Sequence, residues 1–170
     1  MDDGDVVAWQ LGREPRAVRR VARRCPHGVP AVTEQDPYDA QGTPFPTTYY
    51  LTCPHLVAAV SRIEAAGGVE RWSAAVEQDE ELAASVAEAT ERQRAIRREL
   101  AAGRTGRDGG ASLRLGIGGA SRPSRLKCLH AHVAFALAQP PYELGERVLA
   151  EMRPLWPDSC CSREAARSRA

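Results

Sequence analysis

Asparagine is absent from this sequence of 170 residues, and Lys127 is the only lysine among its 23 basic residues. Both residue types use A-rich codons, so the composition indicates a GC-rich genome and makes the many arginines weak evidence for phosphate binding. Aromatic residues make up only 5% of the chain, which argues against a surface that stacks nucleic-acid bases. Because the formal net charge is only +1, no overall field attracts nucleic acid. We expect no nucleic-acid partner.

The chain also lacks a run of about 18 apolar residues, which a membrane-spanning helix would need. Its acidic start, residues 1–5, leads into no apolar stretch, so we expect no secretory signal. Without export, the five cysteines are expected to stay reduced rather than to form a disulfide framework. Two of them, Cys160 and Cys161, lie in a polar tail and are interpreted as incidental. The sequence predicts a cytoplasmic protein with no membrane partner.

Apolar periodicity and turn residues predict one α+β domain over residues 3–153, with a small antiparallel sheet of about three strands flanked by helices. The predicted strands are 16–25, 29–33 and 47–52, and the predicted helices are 3–12, 54–66, 79–101, 125–138 and 143–152. Gly67-Gly68 is interpreted as a helix stop. Residues 103–119 hold seven of the 14 glycines and are expected to form a mobile loop. Residues 158–170 are expected to be a disordered tail.

Each of the four histidines lies close to a cysteine in the sequence. The pairs are Cys25 with His27, Cys53 with His55, and Cys128 with both His130 and His132. Free cysteine often packs as a small hydrophobic residue, so one such pair would carry little weight. Cysteine and histidine are also common zinc ligands, and thiolates hold iron–sulfur clusters. Three pairs in one short chain therefore favour a shared metal site.

Helical spacing selects the ligands at the third pair. On the helix predicted there, Cys128 and His132 lie four residues apart on one face, whereas His130 points to the opposite face. We therefore choose His132 as the ligand, and His130 would need a second site or would orient a ligand from behind. Cys25 lies at a Pro-Gly turn and Cys53 at a helix N-cap, where backbone amides stabilise a thiolate.

The predicted metal shell accordingly consists of Cys25, Cys53, Cys128 and His132. Zinc is preferred, and an iron–sulfur cluster is the second choice, because three thiolates and one imidazole suit either. A rival hypothesis makes the protein a thiol-dependent enzyme in which Cys53 is the nucleophile and His130 or His132 the base.

Four blocks of the sequence are similar to the bacterial family called domain of unknown function 501. They are Arg24-Cys25 with Gly28 and Pro30, Gly42–Thr47, Tyr50–Pro54, and Lys127–His132. The similarity extends from Leu11 to about Leu149. It implies a bacterial, specifically actinobacterial, cytoplasmic protein, but it supplies no reaction.

The family pattern includes the cysteines at 25, 53 and 128 and the two later histidines, whereas His27 and His55 lie outside it. Family members are often encoded beside a septum-formation initiator and an exopolyphosphatase. This context implies a third hypothesis, a non-enzymatic adaptor that holds a protein partner in cell division or at the envelope. The oligomeric state is left open.

Overall fold

A computed structural model describes residues 2–160 of the chain. In this part of the chain a three-stranded antiparallel sheet is flanked by helices, so the predicted α+β class is confirmed. The elements are α1 (Asp3–Leu11), β1 (Val18–Arg24), β2 (Pro30–Gln35), β3 (Tyr49–Leu51), α2 (Pro54–Ala65), α3 (Gly68–Gln78), α4 (Glu80–Ala101), α5 (Leu129–Ala138) and α6 (Glu143–Glu151). No helix among residues 2–160 combines the length and apolarity that crossing a membrane requires.

The sheet has the order β1-β2-β3, with β2 buried along its whole length. Its one carboxylate, Glu34, is compensated by Arg20, whose Nε and Nη2 donate to the two carboxylate oxygens at 2.8 and 2.7 Å. The Tyr49 hydroxyl on β3 donates to the same carboxylate at 3.2 Å. A buried carboxylate is tolerated when such charge-assisted hydrogen bonds replace water.

Helix α3 was not predicted, because Gly67-Gly68 was interpreted only as the end of the preceding helix. In the structure Gly67 has φ +80°, a conformation that favours glycine, and serves as the N-cap of α3. Val69, Trp72 and Val76 recur at helical spacing, and the last two are buried. Their periodicity carried the signal for a second helix after the turn.

Helix α5 begins four residues later than the predicted start at 125, and it lies at the centre of the core. Its N-cap, Cys128, has the extended conformation φ −157°, ψ 116°, so this residue is outside the helix. Helix α6 packs closely on α5 at Gly145, where a Cβ would meet the Ala136 methyl and lie 2.9 Å from the His132 carbonyl oxygen. The middle of α5 is therefore tightly packed against α6.

The glycine-rich segment 103–119 forms two short 3-10 turns, Ala111–Arg114 and Ile117–Gly119. Asp108 organises the first turn, since its carboxylate accepts hydrogen bonds from the Gly110 and Ser112 amides at 3.0 and 2.7 Å. The mobility of this segment stays a prediction. Most of the predicted tail, including Cys161, lies outside the described residues.

Candidate metal centre

Three potential metal ligands meet where the end of α2 faces the start of α5. One carboxylate oxygen of Glu64, the sulfur of Cys128 and one imidazole nitrogen of His130 all lie within 4.8 Å of one another. Among residues 2–160 this is the one group of three or more cysteine, histidine or acidic side chains that is so close. All three residues are half-buried, so the group is shielded from bulk water yet reachable.

The first amide of α5 fixes the position of the Glu64 carboxylate. Oε1 of Glu64 accepts a hydrogen bond from the Leu129 amide at 2.6 Å, and this amide has no partner within the helix. Its Oε2 lies 3.2 Å from Nδ1 of His130. Because the capping role falls to Glu64, Cys128 occupies the N-cap position without a side-chain hydrogen bond to the backbone amides.

The hydrogen bonds of His130 define which of its nitrogens faces the cluster. Nε2 lies 3.2 Å from the Val57 carbonyl oxygen and 3.2 Å from the Ser61 hydroxyl oxygen. A carbonyl only accepts hydrogen bonds, so we assign the proton of the neutral ring to Nε2, which donates to Val57. In that tautomer Nδ1 turns a lone pair toward the Glu64 carboxylate. In this tautomer a second proton on the ring or a metal ion between the two atoms would make the contact favourable.

The electrostatics of the cluster also favour positive charge at His130. The hydrogen bond with Cys128 raises the pKa of His130 most, and the nearby Glu64 carboxylate raises it further, although burial acts in the opposite direction. The cluster thus stabilises a cation beside its sulfur and carboxylate. A metal ion would compete with the proton for this place.

The other three predicted ligands lie outside this group. His132 is 2% exposed, and its Nδ1 lies 2.6 Å from the Tyr142 hydroxyl oxygen. Burial lowers the pKa of His132 to about 4, which keeps the ring neutral. Cys53 is the N-cap of α2, as predicted, and is 3% exposed. Cys25 forms the predicted turn, with its carbonyl accepting from the Gly28 amide at 2.9 Å.

The structure therefore does not assemble the four-residue shell among the described residues, and its metal-binding role stays a prediction. The spacing rule that paired Cys128 with His132 holds only when both residues are helical. Cys128 is extended, so His130, two positions along, becomes the histidine beside its sulfur. The burial of Cys53 also disfavours the rival hypothesis, because reactive thiols need partial exposure.

A cavity of about 400 Å³ adjoins the cluster. Its lining residues come from α1, the β3 region, the start of α2, the glycine-rich segment and α5: Gln10, Leu11, Thr47, Tyr49, Tyr50, Leu51, Thr52, Val57, Gly118, Cys128, His130 and Ala131. No Asp, Glu, Lys or Arg is among them, although such residues make up 26% of the chain. Apart from Cys128 and His130 of the cluster, the wall of the cavity is therefore uncharged and partly aromatic.

Comparison with known families gives a match that covers most of the chain. The family described as "Protein of unknown function (DUF501)" matches residues 21–150. The chain belongs to this family. The predicted resemblance is thereby confirmed, and the DUF501 match includes Glu64, Cys128 and His130. Neither the curated proteins nor the solved structures contain a match to the chain.

Glu64 is the member of the cluster that sequence reasoning missed in this DUF501 chain. It lies 65 residues before its hydrogen-bond partner Leu129, and no cysteine or histidine is near it in the sequence. One local signal was available. An acidic side chain in the last turn of a helix opposes the helix dipole, and Glu64 is the penultimate residue of α2. An acidic residue at this position suggests that its carboxylate interacts with a group outside its own helix.

Proposed function

We propose that the protein binds one zinc ion through Glu64, Cys128 and His130. A thiolate and a carboxylate together carry two negative charges, which a divalent ion neutralises, while the imidazole ligand is neutral. An electrically neutral centre suits the half-buried position of the cluster, because burial of net charge is costly. Sulfur, nitrogen and oxygen ligands of these types are all common for zinc.

The orientation of His130 is the observation that carries this proposal. Histidines that ligate metals almost always donate their other ring N–H to a carbonyl, a carboxylate or water. Here Nε2 has the Val57 carbonyl as its acceptor, and Nδ1 faces Glu64. The Leu129 amide holds the second oxygen of the same carboxylate. Two of the three ligands are therefore oriented before any ion binds.

The same ligand set favours zinc over the iron–sulfur cluster that was our second choice. Such clusters are held mainly by several cysteine thiolates. The group at the start of α5 supplies one thiolate. This supports a mononuclear centre.

Three protein ligands leave a fourth position on a tetrahedral zinc ion, as in catalytic rather than structural sites. Zinc in such a site activates a bound water and polarises carbonyl or phosphoryl oxygens. Cys128 and His130 also line the uncharged cavity, which can admit a small substrate to that position. We therefore propose a metal-dependent hydrolytic function, in which the chain's contribution is to hold three ligands and shape the chamber.

The metal content of the full-length protein tests this function. Protein purified without a metal-affinity tag should contain, or take up after addition of zinc and dialysis, about one equivalent of zinc per chain. A chelator should remove the ion, and added zinc should restore it. Failure to retain any metal after incubation with excess zinc would contradict the proposal.

A second candidate function is supported by the same geometry. Cys128 lies beside His130, and a cysteine next to a histidine that can act as a base is the arrangement of a thiol nucleophile. A protein that retains no metal but is alkylated faster at Cys128 than at the half-buried Cys25 would favour this thiol-dependent enzyme. A protein that neither retains metal nor is alkylated faster at Cys128 would leave the hypothesis of a non-enzymatic adaptor.

A further inference from the structure

A second cavity, of about 470 Å³, lies on the side of α2 that faces away from the metal cluster. The residues of α2 that line it are spaced three or four positions apart, which places them on one face of the helix: His55, Ala59, Arg62 and Ile63. At 100° per residue, Glu64 lies on the opposite face. The volume of this second cavity is within the range of small-molecule sites.

A salt bridge between α3 and α6 forms part of the wall of the second cavity. Nη1 and Nη2 of Arg71 donate to the two carboxylate oxygens of Glu151, both at 2.8 Å. The Arg71 guanidinium also lies over the Trp72 ring, 5.2 Å from the ring centroid. A paired hydrogen bond and a cation–π contact together hold this arginine in place. Three helices thus give the cavity a defined wall.

Arg62 and Arg153 add two further positive charges to the same wall. Both are exposed, and no carboxylate among residues 2–160 lies within 4.0 Å of either. Glu151, the acidic residue in the wall, is already bound by Arg71. An arginine-rich composition alone does not explain this concentration, because the cavity beside the metal cluster has no arginine among its described lining residues. Two positive charges of the second cavity are therefore left without a close partner in its wall.

Apolar side chains form a floor between these charges, which we call the apolar floor and which consists of Ala59, Ile63 and Met152. Ala59 and Met152 are 8% and 5% exposed, and Ile63 is half-buried. An inorganic anion would leave this floor in contact with water. A ligand that also carries an apolar part would cover the floor and gain from its burial.

We propose that the second cavity binds a small organic anion, in which a carboxylate or a phosphate group is joined to an apolar body. Arg62 and Arg153 donate charge-assisted hydrogen bonds to the anionic group. The apolar body packs on the apolar floor, while Arg71 stays paired with Glu151 and shapes the wall. This site is separate from the zinc centre and does not depend on the proposed function.

Equilibrium dialysis of the full-length protein with benzoate, phenyl phosphate and benzamide tests the site. The first two probes share an aromatic ring and differ in the anionic group, so the better-bound one identifies that group as a carboxylate or a phosphate. Benzamide has nearly the shape of benzoate without its charge, and we expect it to bind about tenfold more weakly or less. Binding of the anion should saturate at about one molecule per chain.

Substitutions of the two unpaired arginines locate the anion. Arg62→Gln and Arg153→Gln should each weaken the binding of the anionic probes about tenfold, because each removes a charged hydrogen-bond donor. Arg98→Gln is the matched control, since Arg98 is also exposed and lines neither cavity. It should bind both anions like the unaltered protein. All three positions are exposed, so the variants should keep the fold.

The proposal is overturned if the unaltered protein shows no saturable binding of either anion. Equal affinities for benzamide and benzoate would also overturn it, because the positive charge of the wall would then have no part in recognition. The third contradicting result is that Arg62→Gln and Arg153→Gln bind both anions as tightly as Arg98→Gln does, since the anion would then lie elsewhere.

Discussion

Cys128→Ser is expected to weaken zinc binding about 100-fold or more, whereas Cys25→Ser leaves the affinity unchanged. The serine hydroxyl is a poor substitute for a thiolate ligand, and loss of groups that only orient a ligand already costs about 10- to 100-fold. Competition with a chromophoric chelator at pH 7.5 measures the affinity. Cys25 is the appropriate control, since it is a half-buried cysteine outside the group formed with Glu64 and His130.

The opposite outcome would point to the shell predicted from the sequence. If Cys25→Ser or Cys53→Ser abolishes zinc binding, the ion must recruit sulfurs that this structure keeps apart.

Glu64→Gln separates the role of Glu64 as a metal ligand from its role in the fold. The amide oxygen can still accept from the Leu129 amide, so the fold should persist while the loss of a charged ligand lowers the zinc affinity.

Gly145→Ala is expected to lower the free energy of unfolding by about 2 kcal/mol. The new methyl group would collide with the Ala136 methyl and lie 2.8 Å from the Tyr142 ring and 2.9 Å from the His132 carbonyl oxygen. This overpacking exceeds the gain of about 1 kcal/mol that alanine brings to a helix. Urea unfolding curves give the free energy directly.

Gly4→Ala is the matched control for this substitution. Gly4 lies in α1, where a Cβ would approach only the end of the Asp2 side chain, at 3.2 Å. Its stability should be unchanged or slightly raised. If Gly145→Ala proves as stable as Gly4→Ala, then α6 does not pack on the middle of α5 as closely as the structure shows.

Most of the fold follows from local patterns in the sequence. Pro54 after Cys53 predicted the start of α2, and the apolar stripe from Leu82 to Leu100 predicted α4. Helix α3 was not predicted because a pair of glycines can end one helix and begin another. The helical spacing of Val69, Trp72 and Val76 is the feature that distinguishes the two cases. The start of α5 was placed too early because residues 125–128 carry no strong stop or N-cap signal of their own.

Of the four predicted ligands, only Cys128 belongs to the cluster that the structure brings together. Cys128 was chosen for its neighbouring histidines. The choice of His132 assumed that Cys128 is helical, and the extended conformation of Cys128 leaves His130 beside the sulfur instead. Glu64 enters through the packing of α2 against α5, a contact between residues 65 positions apart. Helical periodicity and motif spacing contain no information about such a contact, whereas coordinates do.

The ligand set can be read directly by X-ray absorption at the zinc edge. The zinc-loaded protein should show one sulfur at about 2.3 Å, with the remaining ligands nitrogen or oxygen at about 2.0–2.2 Å. One sulfur would match a centre in which Cys128 is the single cysteine ligand, beside His130 and Glu64. Three sulfurs at that distance would contradict the proposed centre, because the group at the start of α5 contains one.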